Sequence, residues 1–252
     1  MIINNTFNFV FVHIPKSAGT TLTSVLSAYS SYCDIEVGGT QLGEAVQPFF
    51  QARFGLSKHS TIREIKSVVG DVLLKRYLSF AFVRNPYSRA YSAYKFLSRV
   101  RKEKQMASLA VFDKFKTFPD FIISDYFQGE GLDRILMPQL FWIRRDNRNE
   151  DIAVDYVGRI ETFSSCLDEL FTLIGGGMER RKIAGPLPNL NRSSEGEQVV
   201  WKEFANNPNL IDVIRKRYEV DFRVFGYASD PSDVDKYTNT SLSCVPATAT
   251  VS

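Results

Sequence analysis

Residues Phe7 to Leu22 read FNFVFVHIPKSAGTTL. The first half, Phe7 to Ile14, is a short run of apolar and β-forming residues in which Asn8 and His13 are the only strongly polar members. Such a run suits a strand buried on both faces of a parallel sheet. Pro15 ends it, Ser17, Ala18 and Gly19 are small, and Gly19 has access to backbone angles barred to other residues. Thr20 and Thr21 offer N-cap hydroxyls, and Leu22, Val25 and Leu26 supply an apolar face, which predicts a helix from Thr20 to Ser30. A strand, a tight loop and a helix N-terminus together make an anion site. The first amides of the helix point N–H groups into the loop, and the helix dipole favours negative charge there. Lys16 adds a full positive charge. The competing reading is an ordinary strand-to-helix turn with a solvated lysine.

The ATP-binding version of such a loop runs Gly, four residues, then Gly-Lys-Ser/Thr. Here Lys16 comes three residues before Gly19, so that pattern fails. The run His13-Ile14-Pro15-Lys16-Ser17-Ala18-Gly19-Thr20-Thr21 instead resembles the 5′-phosphosulfate loop of PAPS-dependent sulfotransferases, in the branch that holds the carbohydrate (heparan/chondroitin-type) enzymes. PAPS is 3′-phosphoadenosine 5′-phosphosulfate. The resemblance implies a P-loop-like, three-layer α/β fold with a central parallel sheet flanked by helices. It places Pro15, Lys16, Ser17, Ala18, Gly19, Thr20 and Thr21 around the donor's 5′ end.

A second block has the same construction. Leu78 to Val83 (LSFAFV) reads as a buried strand and runs into Arg84-Asn85-Pro86-Tyr87-Ser88-Arg89-Ala90-Tyr91-Ser92. Pro86 suits a helix start, and Ser88, Ala90, Ser92 and Ala93 keep that helix slim. An arginine presents a planar fork to a phosphate, and a serine about two turns into the helix donates one more hydrogen bond. Taken alone, Arg84 reads equally well as half of a salt bridge. The block resembles the family's 3′-phosphate motif, which implies that Arg84 and Ser92 hold that group. Arg89 also matches the pattern, and pairing with a carboxylate in support of the loop is its expected role.

Between the blocks lies Lys58-His59-Ser60-Thr61-Ile62-Arg63-Glu64. Thr61 and Glu64 have capping-box spacing, so a helix starts there, with Ile62, Ile65, Val68 and Val69 on its apolar face. His59 stands on the loop just before. A lone histidine is more often structural, but in related glycan sulfotransferases a histidine in this interval is the proposed base. The resemblance therefore implies His59 as base and Lys16 as the charge that stabilises the leaving group. Glu36 or Glu44 is the next candidate base, and His13 reads as structural.

Further along, Arg99, Arg101, Lys102 and Lys104 read as a solvated face, with an acidic substrate as the alternative. Residues 105 to 150 look helical and aromatic, broken at Pro119, Gly129, Gly131 and Pro138. Met137 to Trp142 resembles a family segment near the substrate cleft. Asp155 to Ile160 reads as a third strand, followed by a helix over Ser164 to Ile174. Gly175 to Glu195 is irregular and basic, and reads as a lid or as an exposed linker. The resemblance carries a 3′-phosphate contact to Asn191 and Arg192. Closing helices are expected over Val199 to Phe204 and Leu210 to Tyr218, and Asp221 to Tyr227 matches the usual family ending. Residues 1–228 form the expected catalytic domain, and 229–252, rich in Ser, Thr, Asp and Pro, a disordered tail.

Composition bounds the rest. The 252 residues include 44% hydrophobic ones, 20 Phe and 11 Tyr, enough for a thick aromatic core. A net charge of +3 gives no reason to expect a nucleic-acid partner. Three cysteines, Cys33, Cys166 and Cys244, form no CxxC pair, which argues against a disulfide framework and a zinc site; Cys166 falls on an apolar helical pattern. No run approaches the roughly 20 apolar residues of a membrane span, and no signal segment precedes the first strand, so a cytoplasmic location is expected. The expected activity is transfer of a sulfuryl group from PAPS, without a metal, to the hydroxyl of a glycan or glycoconjugate. A tyrosine-containing peptide or a small molecule is the alternative acceptor. A P-loop kinase or other NTPase would need the Gly-Lys-Ser/Thr order and a magnesium-holding Asp after a strand. A nucleotide-binding protein without turnover is the remaining alternative.

Overall fold

The computed structural model describes residues 1–129, 133–175, 204 and 207–231, with the backbone of 245–246. The chain divides into two compact units. The first holds residues 1–83, the described residues from Gln139 to Gly175 and the backbone of 245–246; the second holds the described residues of 84–138 and those from Phe204 to Pro231.

The first unit is built on a six-stranded sheet. Its strands are β1 (Ile2–Asn4), β2 (Phe9–Val12), β3 (Ile35–Glu36), β4 (Leu78–Val83), β5 (Tyr156–Arg159) and β6 (Val245–Pro246), in the order β3-β1-β2-β4-β5-β6. The centre is parallel, with Val12 beside Ala81 and Phe82 beside Gly158. The outer strands β1, β3 and β6 pair antiparallel. The sheet is therefore mixed, where a parallel one was expected. The difference arises at the start of the quoted run. Phe7 and Asn8 belong to the turn between β1 and β2: the Phe7 amide donates to Asn4 Oδ1 at 2.6 Å, and Asn8 is left-handed at φ 55°. Asn tolerates that conformation because its short polar side chain bonds locally.

The four residues of β2 are all buried, as a central strand requires. Phe9 and Phe11 meet Phe80 at ring separations of 5.6 and 5.5 Å. Around them pack Leu22, Val25 and Leu26 of α1 (Gly19–Ser27) and Phe163, Cys166, Leu167 and Leu170 of α8 (Phe163–Ile174). Each such side chain contributes about 1.5–3 kcal/mol on burial. A Cβ at Gly158 would meet the Phe82 ring at 2.6 Å, so this β5 position must be glycine for that ring to lie flat on the strand.

Helix α2 (Gln41–Phe54) is capped by Thr40, and α3 (Ile62–Arg76) by Thr61, with a break at Gly70. The second unit opens with α4 (Pro86–Lys104), capped by Asn85 with Pro86 at its first position. A 3₁₀ segment (Ala107–Lys114), α5 (Phe118–Ile122), α6 (Asp125–Gln128) and a 3₁₀ turn (Arg134–Leu136) follow. The short α7 (Leu140–Ile143) returns to the first unit, while α9 (Asn209–Arg217) and α10 (Glu219–Val224) complete the second. Pro119 was expected to break the chain but sits in the first turn of α5, where its missing N–H costs nothing. Phe112, Phe118, Phe121, Phe127 and Tyr87 are among the buried rings of this unit. No helix among the described residues is long and apolar enough to cross a membrane.

Candidate active site

The loop after β2 takes an unusual path. Lys16 and Ala18 are both left-handed, at φ 65° and 52°, with Ser17 between them. Non-glycine residues there cost about 1 kcal/mol or more each. Backbone that alternates in hand turns its N–H groups toward one side, which makes a concavity for an anion. Helix α1 then starts at Gly19 with Ala18 as N-cap, no side chain caps it, and its first turn has no acidic residue. Thr20 and Thr21 were expected at the cap. They stand instead at the second and third helical positions, because the left-handed turn at Ala18 starts the helix earlier. Ser17 is buried and donates from Oγ to Gln139 Oε1 at 3.0 Å, which fixes the middle of the loop.

Gly19 and His13 are one packing unit. A Cβ on Gly19 would lie 1.7 Å from His13 Nε2, so the imidazole occupies the space that any side chain would need. His13 is buried and stacks on Phe11 at 5.7 Å, and its Nδ1 has no hydrogen-bond partner among the described residues. Burial, then His59, and more weakly Lys58 and Lys16, hold its pKa well below the ordinary histidine value, so the ring is neutral. Its backbone carbonyl meets His59 Nδ1 at 2.8 Å, and the two rings stand edge-on at 4.5 Å. A carbonyl can only accept, so His59 Nδ1 carries the proton and the lone pair of the neutral ring is on Nε2.

The backbone after His59 is anchored by the expected capping box. The Glu64 amide donates to Thr61 Oγ1 at 3.1 Å, and the Thr61 amide to Glu64 Oε2 at 2.6 Å. Of the alternative bases, Glu44 is already engaged. Glu44 Oε1 accepts from the Gly39 amide at 2.8 Å and from Lys58 Nζ at 3.0 Å, and the amide first, then Lys58, lowers its pKa. Glu36 accepts from Thr40 Oγ1 at 3.1 Å through Oε2, while its Oε1 is buried with no hydrogen-bond partner among the described residues.

In the second unit, Arg84 Nε donates to Ser88 Oγ at 2.8 Å, and Ser88 Oγ donates to the Asn85 carbonyl at 3.2 Å. Ser88 thus fixes the plane of the guanidinium. Ser92 is half-buried one helical turn further, on the same side of α4. Asn191 and Arg192 lie outside the described residues, as do the stretch read as a lid (beyond Gly175) and most of the helix expected before Phe204.

A model of the sulfotransferase family matches residues 1–228. The chain belongs to the sulfotransferase family. No curated protein and no solved structure matches it. The family implies a P-loop-like α/β fold and an acceptor that bears a hydroxyl.

Several side chains of this sulfotransferase have roles that the sequence left open. Arg89 is fully buried in the second unit: it donates to the Ile135 carbonyl at 3.0 Å and lies 5.6 Å from the Tyr218 ring centroid. Burial lowers its pKa, while Tyr218 and the buried Asp221 oppose that shift. It therefore joins α4 to the segments around Ile135 and Asp221. Arg101 of the basic run is taken up by Asp113, at 2.6 Å. Ser88 and Gln139 were missed as supports of the site. From the sequence, Ser88 reads as a small residue of a slim helix, and the segment of Gln139 as one near the substrate cleft with no role for Gln139 itself. Among the described residues no group of three His, Cys, Asp or Glu side chains is arranged to hold a metal ion.

Proposed function

We propose that this sulfotransferase moves a sulfuryl group from PAPS to a hydroxyl of a carbohydrate. The observation that carries the reading is the loop from Lys16 to Gly19: two left-handed residues, a helix start without a side-chain cap and a lysine, all suited to an anion. Pro15, Lys16, Ser17, Ala18, Gly19, Thr20 and Thr21 would hold the 5′ end of the donor. Arg84, with its plane set by Ser88, and Ser92 would hold the 3′-phosphate, joined by Asn191 and Arg192. The donor supplies the sulfuryl group together with a phosphate leaving group that is stable once released.

The chain's own residues then do three things. Lys16 and the amides at the start of α1 balance the negative charge that grows on the leaving phosphate, a contribution that counts most in the transition state. His59 takes the acceptor's proton on Nε2, and general-base help of this kind gives about 10²–10⁴ in rate. The His13 carbonyl keeps the ring in that tautomer. The test is incubation with labelled PAPS and a panel of glycans, lipids, phenols and tyrosine peptides. Label on a glycan is expected. Label only on tyrosine peptides would move the acceptor class, and label on nothing would overturn the donor.

A further inference from the structure

The turn that carries His59 is held from two sides within the first unit. It closes on itself: the Ser60 amide donates to the Ser57 carbonyl at 3.1 Å, and the Ser57 amide to the buried Ser60 Oγ at 2.8 Å. On one side His59 Nδ1 meets the His13 carbonyl just after β2. On the other, Glu44 and Gln47 stand three residues apart on α2, so their side chains leave that helix as neighbours. Both end on Lys58, the residue before His59. Gln47 Oε1 accepts from the Lys58 amide at 2.8 Å, and Glu44 Oε1 from Lys58 Nζ at 3.0 Å. The same Glu44 oxygen accepts from the Gly39 amide at 2.8 Å, which ties the lysine to the turn before α2 as well. Space is reserved for this arrangement. Gly38 is left-handed at φ 71°, and a Cβ there would lie 2.5 Å from Lys58 Cβ and 2.8 Å from Lys58 Cδ. The Lys58 stem therefore fills a position that only glycine leaves open. Its side chain is 24% exposed, where a lysine is ordinarily in solvent.

A lysine that served only solubility would need none of these contacts. Here the amide and the side chain of Lys58 are both fixed to α2. Only the two soft backbone dihedrals of Lys58 separate that fixed amide from the backbone of His59. We infer that Gln47, Glu44 and Gly38 are positioning residues: through Lys58 they hold the His59 turn against α2, so that the ring stays on the His13 carbonyl with Nε2 bare. The inference rests on the proposed role of His59 as base. A base must lie within hydrogen-bond reach of the proton it takes, and a misplacement of about 1 Å costs roughly 10²-fold in rate. None of the three residues needs to touch donor or acceptor, because each acts through Lys58.

The test is nitrogen NMR on the whole protein with its histidine rings isotope-labelled. The sequence has only 2 histidines, His13 and His59, so each ring is read separately. At a pH where the rings are neutral, His59 of the unaltered protein should show a proton on Nδ1 and a bare Nε2. Gln47→Leu removes the acceptor at similar size. Its Nε2 signal should move toward the N–H position as the other tautomer becomes populated, and exchange of the Nδ1 proton should quicken by about 2- to 10-fold. Gln47→Glu keeps an acceptor oxygen at the same reach and should restore both readings. Cooperative thermal unfolding of each variant separates a shifted turn from a damaged fold. Glu44→Gln weakens the tie to Lys58 and should move the signal the same way by less; it carries the test if Gln47→Leu does not fold. Where the labelled-donor assay gives a product, Gln47→Leu should lower kcat about 10-fold or more with little change in the KM for PAPS. Combined with His59→Ala, it should lower kcat no further than His59→Ala alone. A proton on Nε2 in the unaltered protein, signals unchanged in both Gln47→Leu and Glu44→Gln, a shift that Gln47→Glu does not reverse, or losses of kcat that add would each overturn the inference. Because the ring is read without turnover, failure of the proposed base shows separately, as near-normal turnover in His59→Ala.

Discussion

The hydrogen bond from His59 Nδ1 to the His13 carbonyl decides which nitrogen of the proposed base can accept a proton. With Nδ1 committed, His59→Ala should cut turnover by about 10²-fold or more while the affinity for adenosine 3′,5′-bisphosphate stays nearly unchanged. The rate of the unaltered enzyme should fall as acid protonates that ring. Near-normal turnover in His59→Ala, or loss of nucleotide binding, would place the base elsewhere. Lys16 should divide differently. Lys16→Ala is expected to lower kcat more than it weakens the product nucleotide, since its charge matters most as the phosphate leaves; turnover within a few-fold of normal would make it a bystander. At Arg84 the readout is selectivity. Adenosine 3′,5′-bisphosphate should bind roughly 10- to 150-fold better than AMP, the value of a charged hydrogen bond of about 1.5–3 kcal/mol. Ser88→Ala should narrow that gap by releasing the guanidinium plane, and calorimetry that finds no gap in the unaltered enzyme would sink the 3′-phosphate assignment.

At the scale of elements, the loop and the start of α1 depend on one missing side chain. In Gly19→Ala the new methyl meets His13 Nε2, and a fully buried ring cannot move without disturbing Phe11 behind it. Overpacking of this kind typically costs about 1–3 kcal/mol, so a lower melting temperature and weaker nucleotide binding should appear together; unchanged melting would show that the ring can move aside. Much of this architecture was legible in the sequence because its signals are local. The run LSFAFV is β4 from end to end, and the spacing of Thr61 and Glu64 produced the capping box where expected. What escaped was non-local. Three residues, Ile2–Asn4, carry no periodicity of their own and become β1 only by pairing with β2 and β3. Ser17 meets Gln139 across more than a hundred residues of sequence, a contact that no spacing rule contains. The left-handed turns at Lys16 and Ala18 were equally hidden, since neither residue type favours them.

For the molecule as a whole, the neutral His13 in the core sets a term in the dependence of stability on pH. Its folded pKa lies below the unfolded one, so between the two only the unfolded chain takes up the proton. Stability should therefore fall as pH drops below about 6.5, before acid reaches most carboxylates. Urea melts at pH 7.5 and 5.5 should show the loss, and His13→Gln should show a smaller one; equal losses would mean that other groups dominate. The family resemblance was legible through two short motifs at strand ends, while the acceptor had no motif to announce it, because acceptor choice lives on loops that such motifs do not describe. The sheet itself has a last consequence. Among the described residues its two margins are β3 and β6, each two residues long, and β6 ends in a proline that has no N–H to offer. A chain with a net charge of only +3 has little electrostatic repulsion to keep copies apart. Margins this short give a neighbouring chain almost no ladder to extend, so resistance to strand-by-strand aggregation is built into the outline of the sheet.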